Sequence, residues 1–371
     1  MPTCRGSEHV PAPRDEADLA ECLAATRTPY ELVAAGTKRE FGCPVEAEAL
    51  RVSALSGILD YEPAEMVLTA RAATPLRDVQ AVLAAAGQRL AFDPPPGGTV
   101  GGVLAANLSG SRRVTAGAAR DHFLGFRAVS GRGERFKAGG KVVKNVTGYD
   151  LPKLLAGSWG TLAVLTEVSL RAVPAAECDV TLCVPAGGAA QAVRLMSAAL
   201  GSQHEVSSAA FDPRHGLVLL RVEGFGAAVD SRVAALAEQL AVDVGCETLR
   251  DERSRERWQA MGAGGDALAS RIVWRIGVAP TEAPRLVAEL APERYVLDWG
   301  GGRVWLGCAS LEPARVRAAV RGGHATLVKA STVERAATAV FPALPVAHAE
   351  LAARVKAAFD PDGRLNPGRM G

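Results

Sequence analysis

Apolar positions recur first with helical and then with strand spacing, and this exchange of periods lays out the first half of the chain. Between Asp15 and Thr28, Leu19, Cys22 and Leu23 share one helical face, and the apolar run Tyr30 to Ala35 follows as a buried strand. A sharp loop, Gly36-Thr37-Lys38-Arg39, separates it from two further strand-like runs, Ala49 to Leu55 and Met66 to Ala70. Thr74 and Pro75 read as N-cap and first-turn proline of a helix whose Leu76, Val79 and Leu83 lie on one face and which Gly87 closes. A hairpin is expected around Gly131-Arg132-Gly133. Leu162 to Ala172 then alternates, with Leu162, Val164, Val168 and Leu170 on one side, up to Pro174, where the pattern predicts a domain boundary.

Beyond Pro174 the chain repeats itself. Strand Cys178–Val184, helix Ala189–Leu200, strand Ser207–Phe211 and strand Leu217–Val222 are mirrored by Ile272–Val278, Thr281–Leu290, Arg294–Asp298 and Val304–Gly307. Two strand-helix-hairpin units can join in one antiparallel sheet, with all helices on a single face and the other face free for a site. The expected fold class is therefore α+β. A first domain covers residues 1–175 and divides near 56–64; a cap domain covers 176–333. The segment 334–371, with a helix at Ala347–Phe359, is expected to return to the first domain.

Composition narrows the function classes. With 48% hydrophobic and 22% charged residues the chain is of ordinary globular type. Its formal net charge of +2 comes from 42 basic and 40 acidic residues without basic blocks, so nothing points to nucleic acid. The longest uncharged stretch, Pro94 to Ser111, is rich in Gly, Pro, Asn and Ser and is no membrane span. Charges at Arg5, Glu8, Arg14, Asp15 and Glu16 precede any apolar run, which predicts a cytoplasmic protein. The seven cysteines form no C-x-x-C pair and the six histidines no metal-ligand spacing, so redox chemistry would need an organic cofactor.

Three glycine-rich segments carry candidate chemistry. Leu32 to Arg39 ends a strand in a loop whose successive N–H groups could cradle phosphate, although an ordinary turn with two surface cations is the better reading of this segment alone. Asp93 to Gly110 is more specific: glycines flank Thr99 and run into a small-residue helix. Its N-terminal N–H groups would stabilise a pyrophosphate, and Ala105 and Ala106 would let a flat ring lie nearby. A tight helix–sheet contact would explain the alanines but not the glycines. In the third, Gly157, Ser158 and Gly160 form a turn able to reach a diphosphate or ribityl chain, and the following strand can pair with an adenine edge. Upstream of it, Lys144 and Tyr149 read equally as a surface cation and a core aromatic outside this pattern.

The order and wording of these segments resemble the FAD-binding domain of the vanillyl-alcohol-oxidase and methylcresol-hydroxylase (PCMH-type) flavoproteins, and within it the E-subunit family of bacterial glycolate oxidases. The resemblance rests on Pro94–Gly102, on Ser111-Arg112-Arg113 to Gly117 with Arg120-Asp121, on Lys144–Leu151, on Gly157–Glu167 and on the ending Asp360–Met370. It implies a two-subdomain domain with FAD between the subdomains, Ala35, Gly36, Thr37, Lys38 and Arg39 together with Gly98, Thr99, Val100, Gly101 and Gly102 surrounding the pyrophosphate. Gly157, Ser158, Gly160, Thr161, Leu162 and Val164 would face the adenosine side, and Asn366 the flavin. The matched segments also bring Pro96, Asn107, Ser109, Arg113, Gly117, Arg120, Asp121, Lys144, Asn145, Gly148, Tyr149 and Asp150 into the expected site. Neither glycine-rich loop holds a histidine, so the resemblance implies non-covalent FAD.

It further implies oxidation of glycolate, a small 2-hydroxy acid, to glyoxylate within a complex. The partners would be a catalytic flavoprotein D subunit and an iron–sulfur F subunit, with at most peripheral membrane association through them. A substrate carboxylate calls for an arginine, and the cap candidates are Arg275 and Arg303, with Tyr149 as a further catalytic candidate; an exposed sheet cation fits both arginines equally. The D-subunit type carries a GHxGDGNxH-like segment, whereas the nearest stretch here is Gly322-Gly323-His324-Ala325-Thr326. That departure leaves open an FAD-containing relay or structural subunit without turnover of its own. A sugar or aldonolactone oxidase of the same superfamily is a third reading.

Overall fold

The computed structural model describes residues 10–141, 148–241 and 246–371. Helix α1 (Glu16–Ala25) starts at Asp15, whose carboxylate accepts from the N–H groups of Ala17 and Asp18, both at 2.9 Å. Its buried Leu19 and Leu23 pack on a parallel pair, β1 (Tyr30–Val33) and β2 (Glu48–Arg51). Next come β3 (Ile58–Glu62), β4 (Val67–Arg71), α2 (Leu76–Ala85), β5 (Gln88–Arg89), α3 (Val100–Ala105) and α4 (Arg113–Ala116). The region closes with β6 (Phe123–Ser130), β7 (Arg135–Gly139), α5 (Leu151–Leu155), β8 (Ala163–Arg171) and β9 (Val173–Pro174).

Strands β3-β4-β8-β6-β7 form an antiparallel sheet, and α2 and α3 bury Leu76, Val79, Leu83, Val103 and Leu104 against it. Helix α2 is capped by Pro75 and not by Thr74. The Thr74 hydroxyl instead donates to the Arg71 carbonyl at 2.6 Å and accepts from Gly57 N–H at 2.9 Å, tying the β3 and β4 ends together.

The second region opens with β10 (Cys178–Pro185), α6 (Ala189–Leu200), β11 (Val206–Asp212), β12 (Leu217–Gly224), α7 (Gly226–Gln239), β13 (Thr248–Arg250) and α8 (Asp251–Ala263). It continues through β14 (Ile272–Gly277), α9 (Ala283–Leu290), β15 (Arg294–Asp298), β16 (Arg303–Cys308), α10 (Pro313–Ala319) and β17 (His324–Lys329). All eight strands lie in one antiparallel sheet, ordered β13-β10-β12-β11-β15-β16-β14-β17, and the two repeats meet where Phe211 faces Leu297. One face is covered by α6, α7, α9 and α10 through Met196, Val229, Leu286 and Val316.

The expectation that all helices share that face does not hold. Helix α8 lies on the opposite face, where Trp258 and Met261 pack against Cys183, Leu219, Val273 and Trp305. The β15, β16, β14 and β17 end of that face carries Asp298, Arg303, Arg275 and His324, and Arg303 there reaches the first region through Ser109 O.

A charged seam joins the two regions. Arg112 donates to both carboxylate oxygens of Glu223, at 2.8 and 2.7 Å, and lies 3.0 Å from Asp93. Arg89 reaches Glu223 at 2.5 Å, and Arg221 joins Asp179 to Asp93. Three arginines thus meet three carboxylates, a buried group whose members compensate one another. Helices α11 (Thr332–Ala337) and α12 (Val346–Phe359) then lead back to the first region, where Leu365 bridges Tyr30. No helix among the described residues is long and apolar enough to cross a membrane.

Candidate cofactor-binding cleft

A cleft of about 860 Å³, counting its open mouth, runs between the loop after β1, the start of α3, the turn before β8 and the C-terminal tail. Its floor is made of small side chains: Ala34, Ala35, Ala72, Ala73, Ala105, Ala106 and Ala163. Such a surface admits a flat ring system close to the backbone.

The loop after β1 supplies the polar wall. Its N–H groups at Ala35, Gly36, Thr37 and Lys38 have no acceptor among the described residues, and all four residues line the opening, so consecutive donors are available there. Gly36 takes φ 72°, which turns the chain sharply at the strand end. The loop is shaped from behind by the tail: Arg369 donates to the carbonyls of Arg39 and Phe41, at 2.9 and 2.8 Å, and to Glu31 at 2.7 Å. Burial alone would raise the Glu31 carboxyl, but Arg39 and Arg369 together hold it below the ordinary range. Arg39 is therefore spent on Glu31, at 3.0 Å, and Lys38 is the cation left for a ligand. Burial lowers the Lys38 pKa, as expected of an ammonium without a carboxylate beside it.

On the opposite wall Trp159 takes φ 54°, an uncommon conformation for a bulky residue. It is held by its N–H donating to Ala105 O at 2.8 Å and by its carbonyl accepting from the Asn366 side chain at 2.8 Å. Asn366 also accepts from Leu32 N–H at 2.8 Å, so one amide pins the strand, the turn and the tail. Consecutive free amides, one unpaired ammonium and an alanine floor fit a diphosphate joined to a flat ring.

Residues 7–139 match the family of FAD binding domains. Along almost its full length the chain is similar to the glycolate oxidase subunit GlcE of Escherichia coli (strain K12), 32% identical over 359 residues that cover 93% of each protein. The chain belongs to the GlcE family. This GlcE-family chain is also 28% identical, over 270 residues, to the glycolate oxidase subunit GlcD of Bacillus subtilis, covering 70% of this chain and 56% of that protein. In fold it resembles alkyldihydroxyacetonephosphate synthase, with a TM-score of 0.66 at 13% identity over 96% of this chain and 76% of the other. The chain is an FAD-dependent oxidoreductase.

The GlcE-family cleft gathers Ala35, Gly36, Thr37, Lys38, Arg39, Thr99, Gly101, Gly102, Gly160, Val164 and Asn366 from the sequence-predicted set. The first-turn N–H groups of α3, expected to be free for a pyrophosphate, already have acceptors within the protein. Val100 donates to Thr74 O at 3.0 Å, Gly101 to Ala72 O at 2.8 Å and Gly102 to the Thr99 hydroxyl at 3.2 Å. A Cβ on Gly101 would lie 2.7 Å from the Ala72 Cβ, so this cleft-lining glycine also lets α3 pack closely on the strand end. Gly98 backs onto the Thr37 and Lys38 side chains, and Pro96 is exposed.

Several other predicted residues brace neighbouring loops. Asn107 accepts from Arg120 N–H at 3.1 Å, Ser109 from Ala119 N–H at 2.9 Å and Asp121 from Ala118 N–H at 2.8 Å beside Gly117. Ser158, Thr161 and Leu162 are buried, Gly157 lies against Asn107, and the Thr161 hydroxyl donates to Ser158 O at 2.7 Å. Asp150 caps α5 through Lys153 N–H at 3.3 Å next to exposed Gly148. Tyr149, 92% exposed, stands away from the cleft, and Lys144 and Asn145 lie outside the described residues.

Of the cap candidates, Arg303 is buried and committed. It pairs with Asp298, donates to Ser109 O at 3.0 Å and stacks 4.1 Å over Trp299, so it is neither an exposed cation nor a free one. Arg275 has no hydrogen-bond or ion-pair partner among the described residues. Sequence reasoning missed Ala72, Ala73, Trp159 and Arg369; the small Ala72-Ala73 pair between a strand end and Thr74-Pro75 is the signal that marks the first two.

Proposed function

We propose that this chain is the FAD-holding subunit of a heteromeric glycolate oxidase, acting in the oxidation of glycolate to glyoxylate with electrons leaving to an iron–sulfur partner. The single observation that carries this reading is the full-length similarity to GlcE joined to a cleft built for a diphosphate and a flat ring. FAD, when bound, supplies the two-electron redox chemistry. The chain's own part is to hold and orient: amides 35–38 and Lys38 take the diphosphate, the alanine floor receives the ring system, and Asn366 fixes the turn at Trp159.

A D-type catalytic flavoprotein and an F-type iron–sulfur protein are the partners this reading requires. A second reading, an electron relay without its own substrate turnover, draws support from the stretch Gly322–Thr326, which offers the single His324 and no neighbouring aspartate. Co-purification from the native host, followed by a glycolate assay with an artificial acceptor, tests the proposal. Glycolate should reduce the acceptor only when a second flavoprotein and a cluster protein accompany this chain. A chain that purifies without either partner, or a complex inert to glycolate, would count against it.

A further inference from the structure

Where the cap sheet faces the first region, donors accumulate without acceptors. Arg275, on β14, stands in register with Trp305 on β16 and Thr326 on β17. The Trp305 indole N–H and the Arg303 Nε–H are buried with no acceptor among the described residues. Arg113 comes from the other side, from α4 of the first region, and stacks 4.7 Å over Trp299 with no carboxylate partner among the described residues. The acid here, Asp298, is already taken up by Arg303, Ser111 and Trp299 N–H. Burial first, and then the charges of Arg303 and Arg113, pull Arg275 down to about 10, the mark of a cation lacking a counter-charge.

His324 stands at the mouth of this cluster, its ring over Gly277, where a Cβ would lie 2.5 Å from the imidazole Cε1. Partial burial and then the positive charge of Arg275 and Arg113 lower its pKa, which favours the neutral imidazole. A neutral imidazole accepts as well as donates, so next to two guanidinium groups it can receive a hydroxyl proton that neither arginine could.

We infer that Arg113, Arg275 and His324 form a binding site, at the junction of the two regions, for a small carboxylate with a hydroxyl or oxo group on the neighbouring carbon. Two guanidinium groups answer the carboxylate, and His324 reads the neighbouring oxygen. The inference rests on the hydroxy-acid reading above but concerns binding, not turnover, and does not depend on the partners.

The test uses the full-length chain loaded with FAD, titrated with glycolate, oxalate, acetate and sulfate and followed by calorimetry and by tryptophan fluorescence, since Trp299 lies against Arg113. Glycolate and oxalate should bind more tightly than acetate or sulfate. Arg275→Ala and Arg113→Ala should each weaken oxalate by at least about tenfold, as loss of one charge-assisted contact does. His324→Ala should narrow the preference for glycolate over acetate. Arg77→Ala, on the exposed face of α2, should change nothing, and an unaltered flavin spectrum shows that each variant is folded. Equal affinity for all four anions, or unchanged oxalate binding in both arginine variants, overturns the site. A flavin-loaded chain that binds no small carboxylate also overturns it, and the two cations then answer an acidic group of a partner subunit. Anion binding that persists in a complex inert to glycolate would reject the proposed substrate and leave the site standing.

Discussion

Asn366 donates to the carbonyl of Trp159 at 2.8 Å, across 207 positions of the chain, and so lets the C-terminal tail set the wall of the cofactor cleft. The turn needs this hold because Trp159 sits at φ 54°, a conformation that its own side chain disfavours. Asn366→Ala removes the bonds to Trp159 O and Leu32 N–H together. It should cost about 1–3 kcal/mol of stability and weaken FAD binding, as read by thermal melts and an FAD titration. Deleting residues 366–371 should cost more, because the Arg369 clamp on Glu31 and the 39–41 carbonyls goes with it.

Gly101→Ala separates packing from ligand contact. The added methyl meets Ala72 at 2.7 Å, so the variant should lose about 1–3 kcal/mol even without FAD. Gly102→Ala meets its nearest neighbour, the Thr99 hydroxyl, at 3.2 Å and should melt closer to the parent protein. Equal melting temperatures for the two apo variants would contradict this ordering.

The seam between the regions carries a pH signature. Burial alone would raise the Glu223 carboxyl, but the hydrogen bond from Arg112 and the charges of Arg112, Arg221 and Arg89 hold it well below its ordinary value. A folded pKa below the unfolded one, about 4.3, means that the stabilisation is complete above that pH and is lost as the pH falls through the folded value. Glu223→Gln should therefore destabilise by about 3–5 kcal/mol at pH 7, and the gap to the parent protein should close on acidification. Urea unfolding across the acid range measures it.

Non-covalent attachment has a simple readout. Neither the 36–39 loop nor the 97–102 loop holds a histidine, so acid or heat should release intact FAD to the supernatant. Flavin that stays with the precipitated chain would contradict this.

Much of this was legible in the sequence, for reasons particular residues make plain. The cap repeat is readable because each strand buries a continuous apolar run and each helix, such as Ala189–Leu200, shows one apolar stripe. Helix α8 was not, because Asp251–Ala263 spends eight of its thirteen positions on charge and polar groups around just two anchors, Trp258 and Met261. The glycine-rich loops announced a ligand, yet the sequence could not say which donors remain free. Val100, Gly101 and Gly102 turn their amides to Thr74, Ala72 and Thr99, partners fixed only by the tertiary crossing of α3. Arg303 was indistinguishable from Arg275 along the strand pattern, since the carboxylate that claims it, Asp298, lies on the neighbouring strand.

The measurement that bears most directly on the account is an equilibrium titration of the apoprotein with FAD, run beside Lys38→Met and Gly160→Val. Lys38 is the ammonium at the cleft wall without a carboxylate partner among the described residues, and a side chain on Gly160 would press on Asn366 at 2.8 Å and Leu32 at 3.1 Å. The parent chain should bind one FAD, with Lys38→Met about ten- to hundredfold weaker and Gly160→Val weaker still. Parent-like FAD affinity in both variants, or no saturable binding by the parent chain, would contradict the placement of the cofactor in this cleft.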